Sequence, residues 1–126
     1  MIKTTGLLFL LAVLFASGAM AQGMQVPKPS AGLMPNPVVG QALFAKNCAS
    51  CHGADLAGSD EGPPLLHRIY EPSHHSDMAF QMAVRNGSRA HHWNFGDMKP
   101  VAGLTPDDVA HITAYVRMQQ RKAGIR

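Results

Sequence analysis

Two thiols and an imidazole stand together in Cys48-Ala49-Ser50-Cys51-His52, and these are the only cysteines in the chain of 126 residues. Thiols three positions apart at the end of a helix can both reach the vinyl groups along one edge of a porphyrin and form two thioethers. The histidine that follows then lies under the ring plane, where its imidazole can bind iron. C-x-x-C-H is accordingly the attachment pattern of a c-type haem. Other chemistries also use paired cysteines. A thioredoxin-like redox pair belongs between a strand and a helix of a βαβ unit, and the chain has no such pattern. A structural zinc site wants a second ligand pair at tight spacing. A disulfide between Cys48 and Cys51 would close a tiny ring and staple nothing distant.

Haem of this kind is attached outside the cytoplasm, so the motif needs an export signal. Residues 1–21 read as one: Lys3 supplies the positive start, Leu7 to Phe15 the apolar run, and Ala19-Met20-Ala21 the small-x-small cleavage site. The run is short for a membrane span, and an uncleaved anchor is the alternative. The whole chain carries a net charge of +3. Removing Lys3 with the signal leaves ten basic against eight acidic side chains, too small a bias to point to nucleic acid or a membrane surface. The length suits one domain with a modest core.

The elements that must position the motif follow in order. Residues 22–36, with Pro27, Pro29, Pro35, Gly23 and Gly32, read as a flexible Pro-rich leader. A helix is expected from Pro37 to about Cys48, with Asn36 as N-cap and an apolar stripe through Val39, Ala42 and Leu43, with Phe44 beside it. Gly40 inside it costs about 1 kcal/mol against alanine, which a close approach of another element would explain. Gly53 to Pro64 is a glycine-proline loop. Ser76 is expected to cap a helix over Asp77 to Asn86 that buries Phe80, Ala83 and Val84. Ser88 to Leu104 is irregular. A last helix opens with Thr105, Pro106 and Asp108, a capping signature. It carries Val109, Ile112 and Val116 toward the core, places Arg117, Arg121 and Lys122 at its C-terminal end, and stops at Gly124. No strand pattern or internal repeat is found. The expected class is all-α.

This order, a helix leading into C-x-x-C-H, a glycine-proline loop, an irregular segment with one methionine and a C-terminal helix, resembles class I cytochromes c over about Asn36 to Lys122. The resemblance implies three to four helices wrapped around one covalently attached haem c, with residues 37–126 as the domain. Gly40 and Phe44 are similar to the glycine and aromatic of the family's first helix, which cross the last helix at Tyr115. Gly62-Pro63-Pro64-Leu65 resembles the G-P-x-L stretch, whose proline carbonyl accepts a hydrogen bond from the axial histidine and raises its basicity. By that alignment the carbonyl belongs to Pro63. Gly96-Asp97-Met98-Lys99-Pro100 resembles the methionine loop, although Lys99 stands where many relatives have a second proline. The implied haem-binding residues are therefore Cys48, Cys51, His52 and Met98, with His52 and Met98 on the iron.

His91 and His92 are the rivals for the sixth position, and ligation by two histidines would lower the potential that methionine raises. Trp93 is expected as a ring against the haem, its N–H within reach of a propionate. With His67, His74, His75 and His111 the histidines are numerous, and paired imidazoles can bind copper or zinc. Whether His67, His74, His75, His91 and His92 converge on an accessory metal is not visible in the sequence.

The implied function is a soluble periplasmic one-electron carrier, not an enzyme. It would cycle Fe(III)/Fe(II) and dock transiently with donor and acceptor proteins. One alternative is a cytochrome subunit held tightly by a dehydrogenase or oxidase. Another is a haem enzyme or gas sensor with a labile sixth ligand.

Overall fold

The computed structural model describes residues 25–126. The signal read over residues 1–21, and residues 22–24 of the leader, lie outside the described residues. Among the described residues four α-helices follow one another: α1 (Pro37–Asn47), α2 (Ala49–His52), α3 (Asp77–Asn86) and α4 (Pro106–Lys122). Between α2 and α3 a 3-10 turn spans Arg68–Tyr70. Among the described residues the extended pairing is limited to one antiparallel bridge, Ser88 with Met98.

Helix α1 starts as its residues dictate. Asn36 Oδ1 accepts from the Val38 amide at 2.9 Å, and Pro37 takes the first turn, where its missing N–H costs nothing. Helix α4 opens with a full capping box. The Asp108 amide donates to Thr105 Oγ1 (3.2 Å) and the Thr105 amide to Asp108 Oδ2 (2.9 Å). Helix α3 has the expected bounds, and Ser76 has the extended backbone of a cap. Its side chain, however, makes no capping hydrogen bond.

The core sits where α1 crosses α4. Phe44, Ile112, Tyr115 and Val116 are buried there with Leu56 and Leu65 from the loop, and the Phe44 and Tyr115 rings meet at 5.6 Å, tilted by 54°. A Cβ at Gly40 would overlap the His111 carbonyl and lie 3.0 Å from the Ile112 nitrogen. The helix accepts a residue of poor propensity because only hydrogen lets the two backbones approach. Leu56 is held at φ +62° yet is 1% exposed. Its carbonyl accepts from the Leu65 and Leu66 amides (2.8 and 3.2 Å), so burial and two backbone bonds offset an unfavourable conformation.

Three expectations need correction. In α1 the stripe read through Val39, Ala42 and Leu43 is not the buried face: Val39 and Ala42 are exposed and Leu43 half-buried, while Gly40 and Phe44 turn inward. In α3 the buried pair is Gln81 and Val84, while Phe80 and Ala83 are only half-buried. Gln81 is inside because its amide donates to the Pro106 carbonyl at 2.8 Å. Arg117 is no surface cation at the end of α4. It is 6% exposed and donates to Asp77 Oδ1 (2.8 Å), the Tyr70 carbonyl (2.6 Å), Gln120 Oε1 (2.7 Å) and the His75 carbonyl. Its guanidinium also lies 5.0 Å from the Phe80 ring centroid. One buried fork thus ties α4 to the 70–77 segment and the start of α3.

Residues 25–36 contain no helix or strand, and polar contacts hold them. The Ser30 amide and hydroxyl donate to Asp107 (2.6 and 2.8 Å), and the Asn36 amide to His111 Nδ1 (2.8 Å). Two ties to α4 therefore join the second half of this leader to the domain.

Candidate haem site

The cysteine-histidine motif forms its own short helix. Phe44 accepts from the Cys48 amide at 2.8 Å as α1 ends. Cys48 then accepts from the Cys51 and His52 amides (3.2 and 3.0 Å) as α2 begins. This tight turn is what brings the residues of a C-x-x-C-H string to one end of α1. Both thiols are free; Cys48 is half-buried and Cys51 exposed. Burial, followed by the neighbouring Cys51, pushes the Cys48 thiol from 9.0 up to about 11.

The loop after α2 folds back on it. The Gly58 amide donates to the His52 carbonyl (2.8 Å), and Ser59 Oγ to the Cys51 carbonyl (2.6 Å). Gly62 is buried so close to Cys51 that a Cβ would lie 2.9 Å from that carbonyl oxygen. The next residue is then in position: His52 Nδ1 lies 2.9 Å from the Pro63 carbonyl. A carbonyl only accepts, so Nδ1 carries the proton and Nε2 keeps a bare lone pair. Pro63 is the residue indicated by alignment with the G-P-x-L stretch.

Met98 is half-buried and fixed through its backbone. The Met98 amide donates to the Ser88 carbonyl (2.8 Å) and the Ser88 amide to the Met98 carbonyl (3.0 Å), while Val101 bonds to Val84 (2.8 Å). Residues 89–97 form an excursion between the two paired positions, closed by the Ala90 amide on Asp97 Oδ1 (2.9 Å). His91 and His92 lie on it, exposed, and both face other histidines. His92 Nε2 is 3.1 Å from His74 Nε2. The His91 ring stacks against His75 at 5.7 Å, and its Nδ1 donates to the Arg89 carbonyl at 2.7 Å.

Trp93 packs edge-on against His67 at 5.0 Å. Its Nε1 is buried with no hydrogen-bond partner. Burial raises the pKa of the Tyr70 hydroxyl, and the Trp93 indole N–H works against that without reaching hydrogen-bond geometry. An orphaned buried donor on the methionine-bearing excursion, two free thiols one turn apart and a bare imidazole Nε2 make a donor set that fits haem c. The sequence did not single out Ser59 and Leu56, which brace the loop, and it read Arg117 as a cation at the helix end rather than as a buried fork.

Comparison with known proteins agrees with this site. The model of the family described as Cytochrome c matches residues 38–120. The CcoP subunit of a cbb3-type cytochrome c oxidase from Rubrivivax gelatinosus is 34% identical over 96 residues, which is 72% of this chain and 29% of that subunit. Among solved structures, cytochrome CL from the marine methylotroph Methylophaga aminisulfidivorans superposes with a TM-score of 0.50 at 31% identity. That match covers 65% of this chain and 51% of the other. The chain therefore spans less than a third of the curated relative and about half of the solved structure.

Proposed function

This chain belongs to the cytochrome c family, whose members bind haem c, and we propose that it is an exported one-electron carrier with a single haem. Cys48 and Cys51 would hold the porphyrin through thioethers, His52 Nε2 and Met98 would supply the axial ligands, and the compartment would be the periplasm. The observation that carries this reading is the Pro63 carbonyl 2.9 Å from His52 Nδ1. It fixes the imidazole tautomer and orientation and makes Nε2 a stronger donor.

Haem bound here would supply a reversible Fe(III)/Fe(II) couple. The chain sets the conditions for it. A neutral thioether at Met98 favours the reduced state and raises the potential. The Ser88–Met98 bridge restricts the methionine backbone, so little reorganisation accompanies electron transfer. Trp93 Nε1 offers a donor to a carboxylate such as a propionate. Lys99, exposed next to Met98, puts a positive charge beside the docking region for partner proteins, and brief contacts suit a carrier whose partner must leave. Among the described residues no helix is long and apolar enough to cross a membrane.

An absorption spectrum of the oxidised holoprotein tests the ligand set. Iron–methionine charge transfer gives a band at roughly 695 nm. The band is expected in the native protein and absent from Met98→Ala, with a lowered potential. A native spectrum without it, unchanged by Met98→Ala, would sink the assignment. Carbon monoxide binding to the native ferrous form would instead favour an open or labile sixth position.

The CcoP relative favours a second reading, a cytochrome subunit held by an oxidase. Gel filtration of the native extract separates the two: a carrier elutes alone, a subunit with its complex.

A further inference from the structure

We propose that His74, His75 and His92, none of them among the proposed haem ligands, form a second metal site that takes one zinc(II) or copper(II) ion. The nitrogens that these three rings offer lie within 4.8 Å of one another, although 18 positions of sequence separate His74 from His92. The fold gathers them from two segments. His74 and His75 follow a turn in which both amides donate to the Glu71 carbonyl (3.0 and 2.8 Å). His92 comes from the excursion between Ser88 and Met98.

The geometry is that of a partly assembled coordination sphere. His74 Nε2 and His92 Nε2 are 3.1 Å apart. Two nitrogens bound to one zinc at about 2.0–2.1 Å with tetrahedral angles stand about 3.3 Å apart, so little movement is needed for this pair. Without a metal, a single shared proton must hold the two rings together, since two bare lone pairs would repel. A metal ion replaces that proton.

His75 is prepared differently. Its Nδ1–H donates to the Ile69 carbonyl at 2.6 Å, which leaves Nε2 free, and its own carbonyl is held by Arg117. A ligating histidine whose other ring nitrogen donates to a backbone carbonyl is the usual support of a metal site. The ring is therefore oriented before any ion arrives, while the exposed His74 and His92 remain open to it. The His91 ring, 4.3 Å from His92, walls one side. Three neutral imidazoles suit zinc and copper and do not suit the hard, oxygen-seeking calcium or magnesium. Loading the site would tie the 71–75 turn to the excursion that ends at Met98.

Titration calorimetry of the holoprotein with zinc(II), and separately with copper(II), is the test. One saturable equivalent is expected, displaced by the other ion. Binding should weaken by at least about tenfold in His74→Asn and in His92→Asn, since losing a ligand costs no less than losing its support. His111→Asn should bind as the native protein does, and an unchanged haem spectrum verifies the fold of each variant. Copper(II) bound by these rings should show nitrogen hyperfine splitting in its electron paramagnetic resonance spectrum. No saturable binding at micromolar metal, or binding that both ligand variants leave intact, overturns the proposal. A second readout needs no variant: zinc should protect His74 and His92 of the native holoprotein from carbethoxylation, and unprotected rings would equally refute the site.

Discussion

The α1–α4 crossing and the excursion from Ser88 to Met98 both position residues of the proposed haem site, and they do so by opposite means. The crossing is dense and apolar. Phe44, Ile112 and Val116 are at most 3% exposed, and Gly40 has no room for even a methyl group. The excursion is exposed and polar, closed by one backbone pair and one aspartate, with histidines where the crossing has aliphatic side chains. Burial makes the first region unforgiving and sets the position of the cysteine-histidine helix. The second needs only to be closed at its ends, which leaves its residues free for ligation.

The largest effect should come from the tightest contact of the crossing. Gly40→Val is expected to cost more than about 3 kcal/mol, the upper end of ordinary overpacking, because a backbone carbonyl rather than a flexible side chain stands in the way. Thermal unfolding of the holoprotein measures it, and a cost under about 1 kcal/mol would mean that the helices can separate without penalty. Next comes the Arg117 fork. Arg117→Met should cost about 2–4 kcal/mol, since it leaves the His75 carbonyl and Gln120 Oε1 without their donor, while the Tyr70 carbonyl keeps Gln120 Nε2 at 3.0 Å. Asp77→Asn should cost under about 1 kcal/mol, because the Asp77 side chain is 73% exposed and an ion pair in water is weak. Equal losses in urea titrations of the two would show that the ion pair, and not the buried acceptors, matters.

The α4 cap lies between the extremes. Thr105→Ala should cost about 1 kcal/mol. It should also lessen an acid dependence, since the side-chain hydrogen bond is lost and the backbone one is kept. Hydrogen bonds from Thr105 hold the Asp108 carboxyl below its ordinary 3.8, so the folded chain releases this proton more readily than the unfolded chain does. The stabilisation is complete above about pH 3.8 and is lost as pH falls through the lowered folded value. Stability curves of native and variant protein should therefore converge in acid. The smallest effect belongs to the excursion: His91→Ala, at an exposed position, should change stability by no more than about 0.5 kcal/mol. A loss as large as that of Gly40→Val would erase the distinction between the two regions.

How legible each region was depends on whether its cause is local. Asn36-Pro37 and Thr105-Pro106 with Asp108 could be read as helix starts because capping involves residues three or fewer apart. Gly40 could be recognised as out of place in a helix, and the family resemblance named a crossing of Gly40 and Phe44 with the last helix at Tyr115; the structure puts Phe44 against Tyr115 and Gly40 against the His111 carbonyl. The Pro63 carbonyl followed from the same resemblance, and the structure brings it to His52. Other features had no local cause. Burial of Arg117 requires carbonyls from Tyr70 and His75, more than forty positions away. The short turn at Arg68–Tyr70 depends on His67 Nδ1 accepting from Ile69, which no apolar period announces. Phe80 yields its inner place in α3 to Gln81, because only the packed structure brings the Pro106 carbonyl within reach of the amide.

From its own order of residues the chain determined the chemistry it can offer. Two thiols and an imidazole share one helical turn, a methionine follows downstream, and capping residues and apolar stripes form the helices that carry them. These depend on bond geometry and on hydrogen bonds between near neighbours. Tertiary structure alone decided which distant groups share a site. It brought His92 to His74, left Trp93 Nε1 buried without a partner and closed the core around Arg117. Such meetings follow from chain paths that bury apolar surface as a whole, and no short stretch of residues encodes them.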